Sequence, residues 1–167
     1  MDKHLLKAAE ELGSALKKQG LRLSIAESCT AGLVCTSLGA ASDSKAFFTS
    51  GFVTYSDEAK HRMLNVSYDT LKVYSAVSEQ AVREMATGAK DHSGEAVSLA
   101  ISGYAGPDGG TDGTPAGTIW FAWSLPGKQL YSCVKLIEGE PEDVIHAAAL
   151  YALCRLTELL TGSKPHW

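Results

Sequence analysis

The sequence predicts a layered α/β domain with a mixed sheet and helices on both faces. Three observations lead there. Apolar, β-branched runs alternate with helical periodicities over the first two thirds of the chain. Two later runs flank Pro126-Gly127-Lys128 and read as a hairpin, which adds antiparallel pairing. The chain has 167 residues, 45% of them hydrophobic, enough to bury one core, so residues 1–167 are expected to form a single domain.

Leu5, Ala9, Leu12 and Leu16 recur at helical spacing and predict an amphipathic helix ending at Gly20. Residues 21–26 read as a short buried strand, and 30–40 as a helix rich in small residues. Residues 47–55 are aromatic and β-branched, hence a strand. A short helix is expected over 57–64. Ser78 is a natural N-cap for a helix reaching about His92. Residues 96–102 form an apolar strand. A turn-rich segment, 103–117, leads to the hairpin strands 118–125 and 129–137. Pro141 suits the first turn of a last helix over 141–160.

Fifteen basic residues face nineteen acidic ones, for a net charge of −4. The longest basic cluster is Lys17-Lys18, which argues against a nucleic-acid binder. No segment reads as membrane-spanning, and the charged N-terminus lacks the apolar core of a signal peptide. Cys29, Cys35, Cys133 and Cys154 form no C-x-x-C pair, so neither a disulfide framework nor a zinc site is expected. His4, His61, His92, His146 and His166 show no H-x-x-x-H spacing. The expectation is a cytoplasmic protein with no metal and no cofactor.

Ligands of open α/β sheets bind beyond the carboxyl ends of the strands. Three polar stretches fall there: Glu27-Ser28-Cys29-Thr30, Tyr55 to Lys60, and Ser102 to Thr114. By residue type alone Ser28 is a helix cap. As a nucleophile it would need a base, and amides near Thr30, Ala31 and Gly32 could then hold an oxyanion. Lys60 could be that base if desolvation lowers its pKa, with Tyr55 relaying the proton between them. Spacing alone favours a strand-end tyrosine and a solvated lysine. Cys29 reads as a buried thiol rather than the nucleophile.

Alternatives fail on their fingerprints. There is no G-x-S-x-G elbow, and Ser14-Ala15-Leu16-Lys17 matches S-x-x-K only on an amphipathic surface helix. Six of the sixteen glycines fall within 103–117, with Pro107 and Pro115 beside them. That density suits close backbone approach to a ligand. The segment matches neither dinucleotide nor P-loop patterns. Asp108 and Asp112 read as turn residues.

Three segments together carry a resemblance: Ala26-Glu27-Ser28-Cys29-Thr30-Ala31-Gly32, Val53-Thr54-Tyr55-Ser56-Asp57-Glu58-Ala59-Lys60, and Ile101-Ser102-Gly103-Tyr104-Ala105-Gly106-Pro107-Asp108-Gly109-Gly110. Ala76-Val77-Ser78 and Pro115-Ala116-Gly117-Thr118 fit between and after them. The chain resembles the CinA C-terminal domain family over nearly its whole length. The resemblance implies a three-layer α/β/α sandwich, a homo-oligomer (a dimer or larger), and no metal. It implies hydrolysis of the carboxamide of nicotinamide mononucleotide to nicotinate mononucleotide and ammonia. The implied catalytic residues are Ser28, Tyr55 and Lys60. Thr30, Ala31, Gly32, Gly103, Ala105 and Gly106 are the implied substrate contacts.

Departures from the family pattern are specific. Ala31 stands where a glycine is usual, and Tyr104 where a small aliphatic residue is usual. Pro141 and Ile145 occupy positions where arginines are usual at the start of the last helix, and Glu140, Glu142 and Asp143 make that region acidic. Arginine's charged fork suits phosphate, and neither replacement can reproduce it. The alternative expectation is therefore a divergent paralogue without deamidase activity, binding a nucleotide-like ligand or a partner.

Overall fold

Asp2 starts the first helix by accepting the amides of His4 and Leu5 at 2.9 and 3.0 Å. That helix, α1 (Lys3–Lys18), buries Leu5, Ala9, Leu12 and Leu16 along one side. The structure, a computed structural model, describes residues 1–163. His166, one of the histidines weighed for metal spacing, lies outside the described residues.

The strands are β1 (Leu23–Glu27), β2 (Phe48–Val53), β3 (Val97–Gly103), β4 (Thr118–Ser124) and β5 (Leu130–Leu136). The helices after α1 are α2 (Leu33–Ala40), α3 (Asp57–Leu64), α4 (Tyr68–Tyr74), α5 (Glu79–Ser93) and α6 (Pro141–Thr161). The sheet order is β2-β1-β3-β4-β5. β1 runs parallel to both neighbours, whereas β3–β4 and β4–β5 are antiparallel. The expected mixed sheet and late hairpin are both present.

All five residues of β1 are buried, as befits a strand covered on both faces. One face carries Leu23, Ile25, Leu99, Ile101, Phe121 and Trp123 into a core with α1, α2 and α6. The other presents Ala26, Ala100 and Ala122 in register across three strands, under Val82, Met85, Ala86 and Ala89 of α5. This row of methyl groups lets α5 lie close to the sheet. Gly88 gives α5 a second close fit, against α3, because a Cβ there would clash with the Leu64 carbonyl oxygen.

Four details differ from the sequence reading. Helix α2 begins at Leu33, three residues later than expected, because Ala31 (φ 47) and Gly32 (φ 104) hold left-handed backbone. β2 stops at Val53, before Tyr55. Helix α4 and a 3-10 turn at Ser44–Ala46 were not anticipated; α4 buries only Leu71. Helix α6 is long and apolar enough to cross a membrane by length and composition, with a mean hydropathy of 1.3. Here its Val144, Ala148, Ala149, Ala152, Leu153 and Leu156 are buried in the core with α1 and the sheet.

Candidate functional site

The three polar stretches meet at the carboxyl ends of β1 and β3. The amide of Ser28 donates to the Ile101 carbonyl at 3.0 Å, which continues the β1–β3 ladder by one rung. The amide of Thr54 donates to the Glu27 carbonyl at 2.8 Å and anchors the segment leaving β2. Ser56 then caps α3, accepting the Ala59 amide at 3.1 Å. Lys60 falls on the buried side of that helix, and its side chain reaches back over the preceding turn.

The Lys60 amine donates to the Thr54 carbonyl at 2.9 Å and lies 3.5 Å from the Tyr55 carbonyl. Its Nζ is also 2.9 Å from Ser28 Oγ. Lys60 is 1% exposed. Burial holds its pKa below the ordinary lysine value, with Asp57 and Cys29 pulling weakly the other way. The solvated lysine favoured by spacing alone is therefore corrected: the side chain is buried. With two carbonyls as acceptors for its N–H groups, a neutral amine keeps its lone pair for the Ser28 hydroxyl.

Tyr55 stands elsewhere than the relay reading requires. Lys60 reaches Ser28 directly, so no phenol lies between them. Tyr55 offers its carbonyl to Lys60, and its side chain is 71% exposed at the edge of the pocket. Cys29 is buried, and burial pushes its thiol up to about 12.

Ser28 and Lys60 open onto a pocket of about 480 Å3, a volume suited to a small molecule. Gly103, Ala105 and Gly106 line it, together with Tyr104 and Asp108. Thr30, Ala31 and Gly32 do not line it. The Thr30 hydroxyl donates to the Glu27 carboxylate at 2.6 Å, and the Ala31 amide donates to the Ser28 carbonyl at 3.0 Å. The Gly32 amide has no acceptor among the described residues.

Several contributors went unassigned in the sequence reading. Glu27 is fully buried and accepts the amides of Val34 and Cys35 at 3.0 and 2.9 Å. A carboxylate at the end of an apolar strand was its signal. The far wall comes from Ser75, Ala76 and Val77, between α4 and α5. Ser102 ties that wall to the sheet, its hydroxyl donating to the Ala76 carbonyl at 2.8 Å. The quoted Ala76-Val77-Ser78 marked this segment without revealing its place.

Pro141 lies behind the Gly-rich loop, lining a second pocket of about 450 Å3 with Gly106, Glu138 and Glu140. Ile145 lines neither pocket. Among the described residues, no group of three or more His, Cys, Asp or Glu side chains could hold a metal ion.

Known proteins match this chain along most of its length. Protein YdeJ of Escherichia coli (strain K12) is 49% identical over 155 residues, covering 90% of each chain. The nicotinamide-nucleotide amidohydrolase PncC of the same strain is 41% identical over 152 residues, covering 91% of this chain and 92% of that one. The crystal structure of a competence damage-inducible protein A from Klebsiella pneumoniae superposes with a TM-score of 0.92, at 45% identity over 98% of both chains. The family model for the CinA C-terminal domain matches residues 5–160. Sequence motifs, sheet order and relatives agree, and the chain belongs to the CinA C-terminal domain family.

Proposed function

We propose that the protein is a serine amidohydrolase acting on nicotinamide mononucleotide or a related ring carboxamide. The observation that carries this reading is the buried Lys60 amine 2.9 Å from Ser28 Oγ, at the floor of a small-molecule pocket. The name of the Escherichia coli amidohydrolase supports the reaction class.

The chemistry follows from the geometry. Ser28 Oγ bonds to the carboxamide carbon as its proton passes to Lys60 Nζ. The Thr54 and Tyr55 carbonyls hold the amine in place through its N–H groups. Lys60 returns the proton to the departing nitrogen, ammonia leaves, and an ester to Ser28 remains. Water, deprotonated by the same amine, hydrolyses the ester and frees the acid. Oxyanion stabilisation falls to the pocket-lining amides with no acceptor among the described residues, those of Cys29, Ala105 and Gly106. In this mechanism Tyr55 positions Lys60 through its carbonyl and borders the substrate with its ring.

Ammonia release from nicotinamide mononucleotide and related carboxamides, measured beside Ser28→Ala, tests this. Ser28-dependent release is expected. Equal rates for both proteins would reject it.

A second reading is a paralogue that binds a nucleotide-like ligand or a partner without deamidation. Pro141 and Ile145, with Glu138 and Glu140 nearby, favour it. Calorimetric binding of nicotinamide mononucleotide without turnover would support it. For either reading we place the protein in the cytoplasm as a homo-oligomer, a dimer or larger. Tyr131, Val134 and Leu136 on edge strand β5 are exposed apolar side chains consistent with self-association. Light scattering after size exclusion tests the assembly.

A further inference from the structure

We propose that the Ser28 pocket selects a carboxamide on a cationic aromatic ring whose substituent is uncharged, and disfavours the phosphorylated form. The inference rests on the amidohydrolase reading and narrows its substrate class.

The charges around the site carry the argument. Two carboxylates, Asp57 and Asp108, line the pocket, and its one basic side chain among the described residues is the buried Lys60, already engaged by two carbonyls and a hydroxyl. The adjoining pocket behind the Gly-rich loop adds Glu138 and Glu140. A phosphate dianion entering this field meets repulsion, whereas a ring cation meets attraction. Tyr55 and Tyr104 border the same space and supply π-faces suited to a cationic ring.

The backbone anion sites at the helix starts are spoken for as well. Helix N-termini are the usual phosphate cradles. Glu27 occupies the amides of Val34 and Cys35 on α2. Ser56 takes the Ala59 amide on α3, and Ser78 takes the Ala81 amide on α5. Glu140 and Asp143 form a capping box on α6. Within the Gly-rich loop, the amides of Gly110, Gly113, Thr114 and Gly117 donate to the loop's own acceptors, whereas those of Ala105, Gly106, Asp108 and Thr111, which line the pocket, have none among the described residues and are left for the carboxamide oxygen.

Calorimetry on Ser28→Ala with nicotinamide riboside and nicotinamide mononucleotide reads the preference directly. The nucleoside is expected to bind about tenfold tighter. The reduced, uncharged ring form of the nucleoside should bind more weakly than the cationic one. Asp108→Asn, made on the same background, should narrow the nucleoside-to-nucleotide ratio about threefold. Equal or tighter binding of the nucleotide would overturn the proposal. Ammonia release from the unsubstituted protein separates the two claims. No Ser28-dependent release from either compound defeats the amidohydrolase reading, while the binding ratio still decides the charge preference.

Discussion

The Thr30 hydroxyl donates to the Glu27 carboxylate at 2.6 Å, so these two side chains bracket Ser28 and Cys29. Glu27 also takes two amides of α2. The loop carrying the proposed nucleophile is thus pinned at both ends by one buried carboxylate. Glu27→Ala leaves three donors without an acceptor and should destabilise the fold by about 3 kcal/mol. Calorimetry should show the melting temperature falling by roughly 10 °C. Activity should fall further than the unfolded fraction explains.

Lys60→Met keeps the side-chain length and removes the amine. The buried amine carries a desolvation penalty, so stability should hold or rise. Ammonia release should fall by about 10³-fold, in line with loss of a general base. Lys60→Arg should be equally inactive, because a guanidinium does not give up its proton.

The pH dependence has a definite sign. Folding lowers the pKa of Lys60 below its ordinary value of 10.5, so the unfolded chain binds the proton more tightly. The contribution of Lys60 to stability should therefore rise with pH, from the lowered folded value up to about 10.5, and level off outside that window. Urea unfolding at pH 7 and pH 10 should show the native protein gaining relative to Lys60→Met. The value of kcat/KM should also rise with pH, with a midpoint below 10.5.

Ala31 sits at φ 47, in backbone that favours glycine. Ala31→Gly relieves that strain and should stabilise the protein by up to about 1 kcal/mol, net of the greater freedom of the unfolded chain. Urea midpoints of the two proteins provide the measurement.

Burial pushes the Cys29 thiol up to about 12 and raises that of Cys35 as well. Both should resist iodoacetamide at pH 8 in the folded protein and react once it is unfolded. Mass spectrometry of the alkylated peptides distinguishes the two states.

The layered fold was legible because its signals are local. Ser56 followed by Asp57 and Glu58 marks the start of α3, and the expected 57–64 matches the observed helix. Helix α4 was not legible, since seven residues with one buried leucine carry little periodicity. The site was half legible. Ser28, Tyr55 and Lys60 could be named from motifs, but the burial of Lys60 depends on the segments leaving β1 and β2 converging on its amine. No window of sequence contains that convergence. Likewise Thr30, expected in the first turn of α2, instead turns its side chain to a carboxylate three residues back.

Placement of β1 between two parallel neighbours has a dynamic consequence. Ser28 is joined to the most enclosed strand through its own amide, so it should open to solvent only with the whole sheet. The walls formed by residues 75–77 and 105–111 have few such ties. Deuterium should therefore enter the amides around Gly109 and Thr111 within seconds and reach Ser28 last. Exchange of ligand at this site is then a motion of its walls, around a serine that stays still.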